Sequence, residues 1–270
     1  MQENFNQEYI REENGAGQPL EDYSVSSKNK EISVYFRNLE DHLVKHIMEA
    51  DIIVGAVAWL TNDKILEALK TRLGVALIIN KIDKDEKLRE LNDELPSIRS
   101  DVFQTTTLID CSQPEYNIEP IRCVGVRSKS KGKTIPRMHN KFIVFCKATR
   151  EDLGCRTKRT VEYFLENGSW KDKVINYEIN EDSNGYNWLN NSDFLMSIDY
   201  IKPYAVWTGS FNFTFNATKS FENALYITQP SIVQAYFSEW SQLEWLSESL
   251  DSESDSLSPE WELRNYGNLA

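Results

Sequence analysis

The hydrophobic positions of this chain fall into short dense runs, separated by stretches in which apolar residues recur every three or four positions. The run DIIVGAVAWL (51–60) is nearly uninterrupted and rich in β-branched residues, the composition of a strand covered on both faces. NDKILEALKTRL (62–73) follows, with Ile65, Leu66 and Leu69 on one helical face and Asn62 placed as a cap. GVALIIN (74–80) is a second buried strand. Strand, helix and strand in succession form a βαβ unit whose strands are parallel neighbours. Upstream, ISVYF (32–36) reads as a short strand, and NLEDHLVKHIMEA (38–50) sets Leu39, Leu43, Ile47 and Met48 on an amphipathic helix. Downstream, DEKLRELNDEL (85–95) reads as a helix and VFQTTTLID (102–110), NKFIVFC (140–146), YAVWTGSFNFT (204–214) and NALYIT (223–228) as strands. SIVQAYFSEWSQLEWLSESL (231–250) is the last helix, with Val233, Phe237, Trp240 and Leu243 at helical spacing. This order predicts an α/β fold, an α/β/α sandwich around a mixed, largely parallel sheet.

The pattern also sets domain limits. Residues 1–28 lack periodicity and read as a flexible N-terminal arm. A single domain covers 29–250. Within it, 147–203 reads as an insertion of local strands and turns covering one edge of the site. Residues 251–270 form an acidic, serine-rich tail, read as disordered.

Composition narrows the class. The start of the chain has no basic and apolar leader, and no apolar run reaches bilayer length, which points to the cytoplasm. No amphipathic basic helix suggests docking to a membrane. Four cysteines, Cys111, Cys123, Cys146 and Cys155, have no CxxC spacing and read as reduced thiols rather than zinc ligands or disulfides. His42 and His46 lie four apart on the 38–50 helix, a spacing that can hold a metal but lacks a third ligand; a solvated helix face is the simpler reading. The net charge of −12 excludes a protein that coats nucleic acid through its overall charge. Its distribution is uneven. From position 122 to 141 the chain carries Arg122, Arg127, Lys129, Lys131, Lys133, Arg137 and Lys141 with no acid, either a solvated loop or a phosphate-binding segment.

That basic segment runs into MHNKFIVFCK (138–147). In a strand, positions two apart share a face, so His139 and Lys141 project together. An imidazole beside a fixed cation suits attack on an anionic phosphorus centre. Farther on, TGSFNFT ends a strand at Gly209 and offers the Ser210 hydroxyl and Asn212 amide as neutral donors to phosphate oxygens. Together, HxK and GSxN resemble the signature of the phospholipase D superfamily, and the likeness runs from about Ile32 to Leu250. The resemblance implies that His139 is the nucleophile forming a phosphohistidine, that Lys141, Ser210 and Asn212 hold the phosphate, and that Glu222 orients the imidazole. It implies no metal or other cofactor.

Two departures stand out. The family's acid, five residues past the lysine, falls on Cys146, and the spacer before GSxN is long. Either Glu222 orients the histidine alone, or Asp193 or Asp199 substitutes, or activity is lost. The chain has one motif set where superfamily catalysis uses two, so the resemblance implies a homodimer with a composite site.

Single-set members are commonly nucleases, and the basic segment (Arg122, Arg127, Lys129, Lys131, Lys133, Arg137) favours nucleic acid, DNA ahead of RNA. Trp207, Phe211 and Phe213 are either core residues or stacking surfaces for bases. The reading is a metal-independent phosphodiesterase, an endonuclease controlled by an ATPase or helicase partner in a bacterial defence or repair system. A phosphatidyl hydrolase and a non-catalytic binding module of the same fold are the alternatives.

Overall fold

The two apolar runs near the start of the domain become the middle of a sheet because neither has a polar face to turn toward water. The structure, a computed structural model, describes residues 5, 9–11, 17–81, 86–99, 103–104, 117–126, 137–153, 157–179 and 196–256. In chain order, β1 (Tyr9–Arg11) and β2 (Gly17–Pro19) pair with each other, and β3 (Val25–Ser26) and β4 (Ile32–Tyr35) precede helix α1 (Leu39–Glu49). The βαβ unit follows as β5 (Ile52–Val57), α2 (Asp63–Lys70) and β6 (Gly74–Asn80). Helix α3 (Glu86–Glu94) leads through β7 (Ile98–Arg99), β8 (Phe103–Gln104) and β9 (Asn117–Ile118) to β10 (Ile121–Val124). Next come the long strands β11 (Lys141–Leu153), β12 (Thr157–Glu166), β13 (Ser169–Ile179) and β14 (Met196–Gly209). The described chain closes with β15 (Ala224–Ile227), α4 (Pro230–Leu246) and β16 (Glu248–Ser249).

The main sheet runs in the order β16-β10-β6-β5-β11-β14-β15-β4-β3. Its strands alternate between two cores. Ile53, Val57, Val75, Leu77, Ile143 and Phe145 join the cluster under α1, α2 and α3, while Ile52, Val54, Ala76, Ile78, Val144 and Cys146 join the cluster under α4. This is the α/β/α layering the pattern predicts. Leu43 and Ile47 of α1 are fully buried, worth roughly 1.5–3 kcal/mol each. Asn62 caps α2 as expected, its side-chain oxygen accepting from the Ile65 N–H at 3.0 Å.

The sheet is mixed, but its parallel share is smaller than the sequence suggests. β5 with β6, β6 with β10, and β8 with β14 are parallel, and the other ladders of this sheet are antiparallel. A parallel pair needs a crossover connection, whereas β12 and β13 are joined by the two-residue turn 167–168. The 147–203 segment belongs to the antiparallel part. β11 and β14 extend through it as one ladder, from Phe142 opposite Thr208 to Leu153 opposite Met196, and β12 and β13 add a hairpin at the far end. Asn167 (φ 51°) and Gly168 (φ 77°) turn that hairpin in the left-handed conformation that suits tight β-turns. The described part of this segment therefore lies away from the site rather than over its edge.

Three further differences concern burial. Residues 25–26 of the arm add to the sheet edge beside β4, and the Ser24 hydroxyl receives the Phe36 N–H at 3.0 Å. β16 pairs with β10, and the Lys81–Glu248 ion pair beneath it, 2.6 Å, has both side chains fully buried. Contacts thus run past residue 250 into the segment read as tail: the Ser256 carbonyl accepts from Lys81 at 3.0 Å. His46 is not on a solvated face: it is buried and stacked on Tyr226 with centroids 3.8 Å apart, and burial lowers its pKa.

Candidate active site

The strand register brings separate pieces of sequence to one rim. Lys141 begins β11 opposite Val57, the end of β5, and Phe142 faces Thr208, so Gly209 at the end of β14 lies beside Lys141. Gly209 in turn faces Ala224, the start of β15, and Ala224 faces Tyr35, the end of β4. HxK and GSxN, far apart in sequence, occupy neighbouring strand ends.

His139 is not in the strand. It stands exposed in the irregular segment before β11, yet it meets Lys141 as the spacing anticipates. The Lys141 ammonium lies 3.2 Å from His139 Nδ1 and 3.2 Å from its carbonyl oxygen. A neutral imidazole that accepts at Nδ1 carries its proton on Nε2. Burial holds the Lys141 ammonium below the ordinary lysine range, and the negative field of Glu222 opposes that shift. Among the described residues, Lys141 has no carboxylate ion-pair partner.

Trp59 completes this corner. Its indole stands edge-on to the imidazole, centroids 5.3 Å apart and planes at 88°, and the Lys141 ammonium lies 5.9 Å from its centroid. The Ala58 N–H donates to the Asn140 carbonyl at 3.0 Å, which locks the two segments together. Sequence reasoning placed Trp59 in a buried run. The available signal was its position at the very end of that run, where a strand leaves the core; it is 37% exposed.

On the β14 side, the Ser210 hydroxyl donates to the Glu222 carboxylate. The Ser210 N–H donates to the Asn223 carbonyl at 3.1 Å, and the Asn223 N–H donates back to Ser210 Oγ at 3.1 Å. Gly209 makes this crossing possible: a Cβ there would sit 2.3 Å from the Asn223 oxygen. Asn212 is half-buried, and its Oδ1 has no hydrogen-bond partner among the described residues. Glu222 therefore holds Ser210 rather than the imidazole N–H assigned to it from the sequence, because the Nδ1 edge faces Lys141.

Other expected residues lie elsewhere. Cys146 is fully buried with its thiol pKa pushed well up by burial, so it carries no charge, and it sits on the opposite sheet face from Lys141's row. Asp199 pairs with Arg150 at 2.7 and 3.2 Å and accepts from the Tyr163 hydroxyl at 3.0 Å, far along the ladder; it does not replace the missing acid. Asp193 lies outside the described residues. Arg122 is 5% exposed and bound to Ser247 and Glu244, so it supports the β10–α4 packing and is absent from the solvent face. Arg137 is exposed two residues before His139, while Arg127, Lys129, Lys131 and Lys133 lie outside the described residues. Trp207, Phe211 and Phe213 are each 1% exposed and belong to the core. Among the described residues no group of three or more His, Cys, Asp or Glu side chains could hold a metal, and no helix is long and apolar enough to cross a membrane.

No protein-family model matches the chain. The uncharacterized protein L381 of Acanthamoeba polyphaga mimivirus is 26% identical over 259 residues, spanning 87% of this chain and 72% of the viral protein. Two solved structures are similar over 81% of this chain. NucT from Helicobacter pylori has a TM-score of 0.43, 13% identity and 98% of its own length covered. Nuc from Salmonella typhimurium, described as a phospholipase D family member, has a TM-score of 0.38, 14% identity and 97% coverage.

Proposed function

We propose that this chain is a phospholipase D-like phosphodiesterase that cuts nucleic acid, DNA ahead of RNA, through a phosphohistidine on His139 and without a metal ion. One observation carries the reading. A partly desolvated ammonium with no carboxylate partner among the described residues stands beside an exposed imidazole, on the same rim as the Ser210 and Asn212 donors. Such an ammonium favours an anion, and a phosphate bound there takes the Ser210 hydroxyl as a donor once it leaves Glu222.

The chemistry follows from these contacts. A phosphate oxygen is a stronger acceptor for Lys141 than Nδ1 is, so substrate binding draws the ammonium off the imidazole. With its proton moved to Nδ1, His139 offers the Nε2 lone pair to phosphorus, and Glu222 is the nearby carboxylate able to accept the Nδ1 proton. The new P–N bond forms as the bond to the leaving ester oxygen breaks. That oxygen needs a proton. This chain has one motif set, so the donor is a second histidine, the partner's His139 in its doubly protonated form, in a homodimer. Water then attacks the phosphohistidine, the P–N bond breaks, the water's proton goes to the partner's His139, and Glu222 returns the Nδ1 proton, so both imidazoles end unchanged. An ATPase or helicase partner that restrains the enzyme inside the cell belongs to the same reading.

The test is cleavage in excess chelator, comparing wild type and His139→Ala on single- and double-stranded DNA, RNA and phosphatidylcholine, with mass measured by light scattering. Chelator-resistant cutting of a polynucleotide by a dimer, abolished by the substitution, is the expected result. Cleavage of the lipid alone moves the chain to the phosphatidyl hydrolases. Full activity in a strict monomer removes the composite site.

A further inference from the structure

Two large aromatic side chains stand in solvent beside the site, each with a cation over its ring. Phe215 is 61% exposed, three residues past Asn212, with the Lys219 ammonium 4.6 Å from its centroid. Phe221 is 57% exposed, immediately before Glu222, with the Arg37 guanidinium 5.7 Å from its centroid. Trp59 and Lys141 repeat the pairing inside the site itself.

Their places follow from the strand order. Arg37 leaves the end of β4 and Phe221 leads into β15, on one side of the Lys141–Ser210 centre. Phe215 belongs to the loop tied to the other side, where the Phe213 carbonyl accepts from the Thr61 N–H at 2.8 Å beyond β5. From β5 to β15 is three strand spacings, roughly 14 Å.

From these pairs we infer that the substrate is a single-stranded polynucleotide whose unpaired bases stack on Phe215 and Phe221, a conclusion that rests on the site acting on nucleic acid. An aromatic face receives a base and the cation beside it meets the adjoining phosphate, which is how unpaired strands are held. In a duplex the base faces are covered by their neighbours, so neither ring can be used. Phe5 of the N-terminal arm already stacks on Phe221, centroids 5.8 Å apart and planes 20° from parallel. A planar ring therefore fits this surface, and a base takes the place of Phe5.

The experiment uses binding, so it does not depend on turnover. His139→Ala protein is titrated by fluorescence anisotropy with a single-stranded DNA oligomer, its duplex, and an abasic strand of equal length. The single strand binds at least about tenfold tighter than either, as one stacked base implies. Phe215→Leu and Phe221→Leu, which keep apolar bulk but lose the ring, each weaken the single strand about tenfold and leave the abasic strand unchanged. Lys219→Ala and Arg37→Ala weaken all strands and each flatten the salt dependence by about 0.7 in log–log slope. Equal affinity for the single strand and the duplex, or for the abasic strand, overturns the inference. A wild type that cuts duplex without preferring single strands overturns it too, while leaving the hydrolase reading intact. Conversely, a wild type that cuts nothing while the variant still prefers single strands supports this inference and sinks the hydrolase reading.

Discussion

Replacing Gly209 by alanine tests whether the site is assembled by the crossing of β14 and β15. The added Cβ would stand 2.3 Å from the Asn223 carbonyl oxygen and 2.8 Å from the Ala224 Cα, against an ordinary contact of 3.4–4 Å. Both neighbours are backbone, so no side chain can swing aside, and the strands must part by roughly 1 Å. Such a shift takes the two Ser210–Asn223 hydrogen bonds, each 3.1 Å, out of range. Overpacking of about 1–3 kcal/mol and two lost bonds of about 1 kcal/mol each give a destabilisation of roughly 3–5 kcal/mol. At about 2–4 °C per kcal/mol, Tm falls by about 6–20 °C. Ser210 moves with the strand, and a 1 Å misplacement reduces cleavage on the order of a hundredfold. The assay is thermal unfolding by circular dichroism together with the cleavage rate. Gly168→Ala is the control. It lies in the far hairpin with φ +77° and nothing within 4 Å of the added Cβ, so it loses about 1 kcal/mol to backbone strain and no activity. A Gly209→Ala protein with wild-type Tm and rate would refute the reasoning.

Cys146→Asp, which puts an acid five residues past Lys141, gains no activity and loses several kcal/mol of stability, because it places a carboxyl in a fully buried site near Asp51; chemical unfolding and the cleavage assay check both parts. Arg122→Ala leaves Glu244 buried beside a missing cation and lowers stability by about 3–5 kcal/mol, with the salt dependence of DNA binding unchanged. The buried His46 titrates below the ordinary imidazole range while the unfolded chain titrates within it. The unfolded chain therefore binds the extra proton first, so stability falls as pH drops from about 6.5 toward the folded value, and His46→Phe flattens that part of a Tm-against-pH curve.

The contrast between Lys141 and Arg122 shows how far the sequence reads. Both belong to one acid-free basic run, and both were assigned to phosphate. The run's composition says nothing about direction, and β10 turns Arg122 toward α4 while β11 leaves Lys141 at the rim. Likewise, the HxK spacing anticipated the His139–Lys141 contact although His139 sits outside the strand, because the two are only two residues apart. Glu222 is hydrogen-bonded to Ser210 of the motif, a partner chosen by side-chain geometry that the sequence does not specify. Trp59 and Trp207 lie in similar apolar runs, and only the end of β5 separates the exposed one from the buried one.

By itself the sequence determined what local physics controls. Runs of β-branched residues specified β5 and β6, apolar spacing specified α1, α2 and α4, and the Asn62 cap marked where α2 begins. It also carried the two motif pieces, since their spacing needs no knowledge of the fold. The tertiary structure decided the rest. Antiparallel pairing of β11 with β14 placed Lys141 beside Gly209, carried the 147–203 segment to the opposite end, and turned Cys146 and Asp199 away from the chemistry. Those outcomes depend on register between strands remote in the chain. Register follows from how whole faces bury against α1, α2 and α4, and no short stretch of residues encodes it.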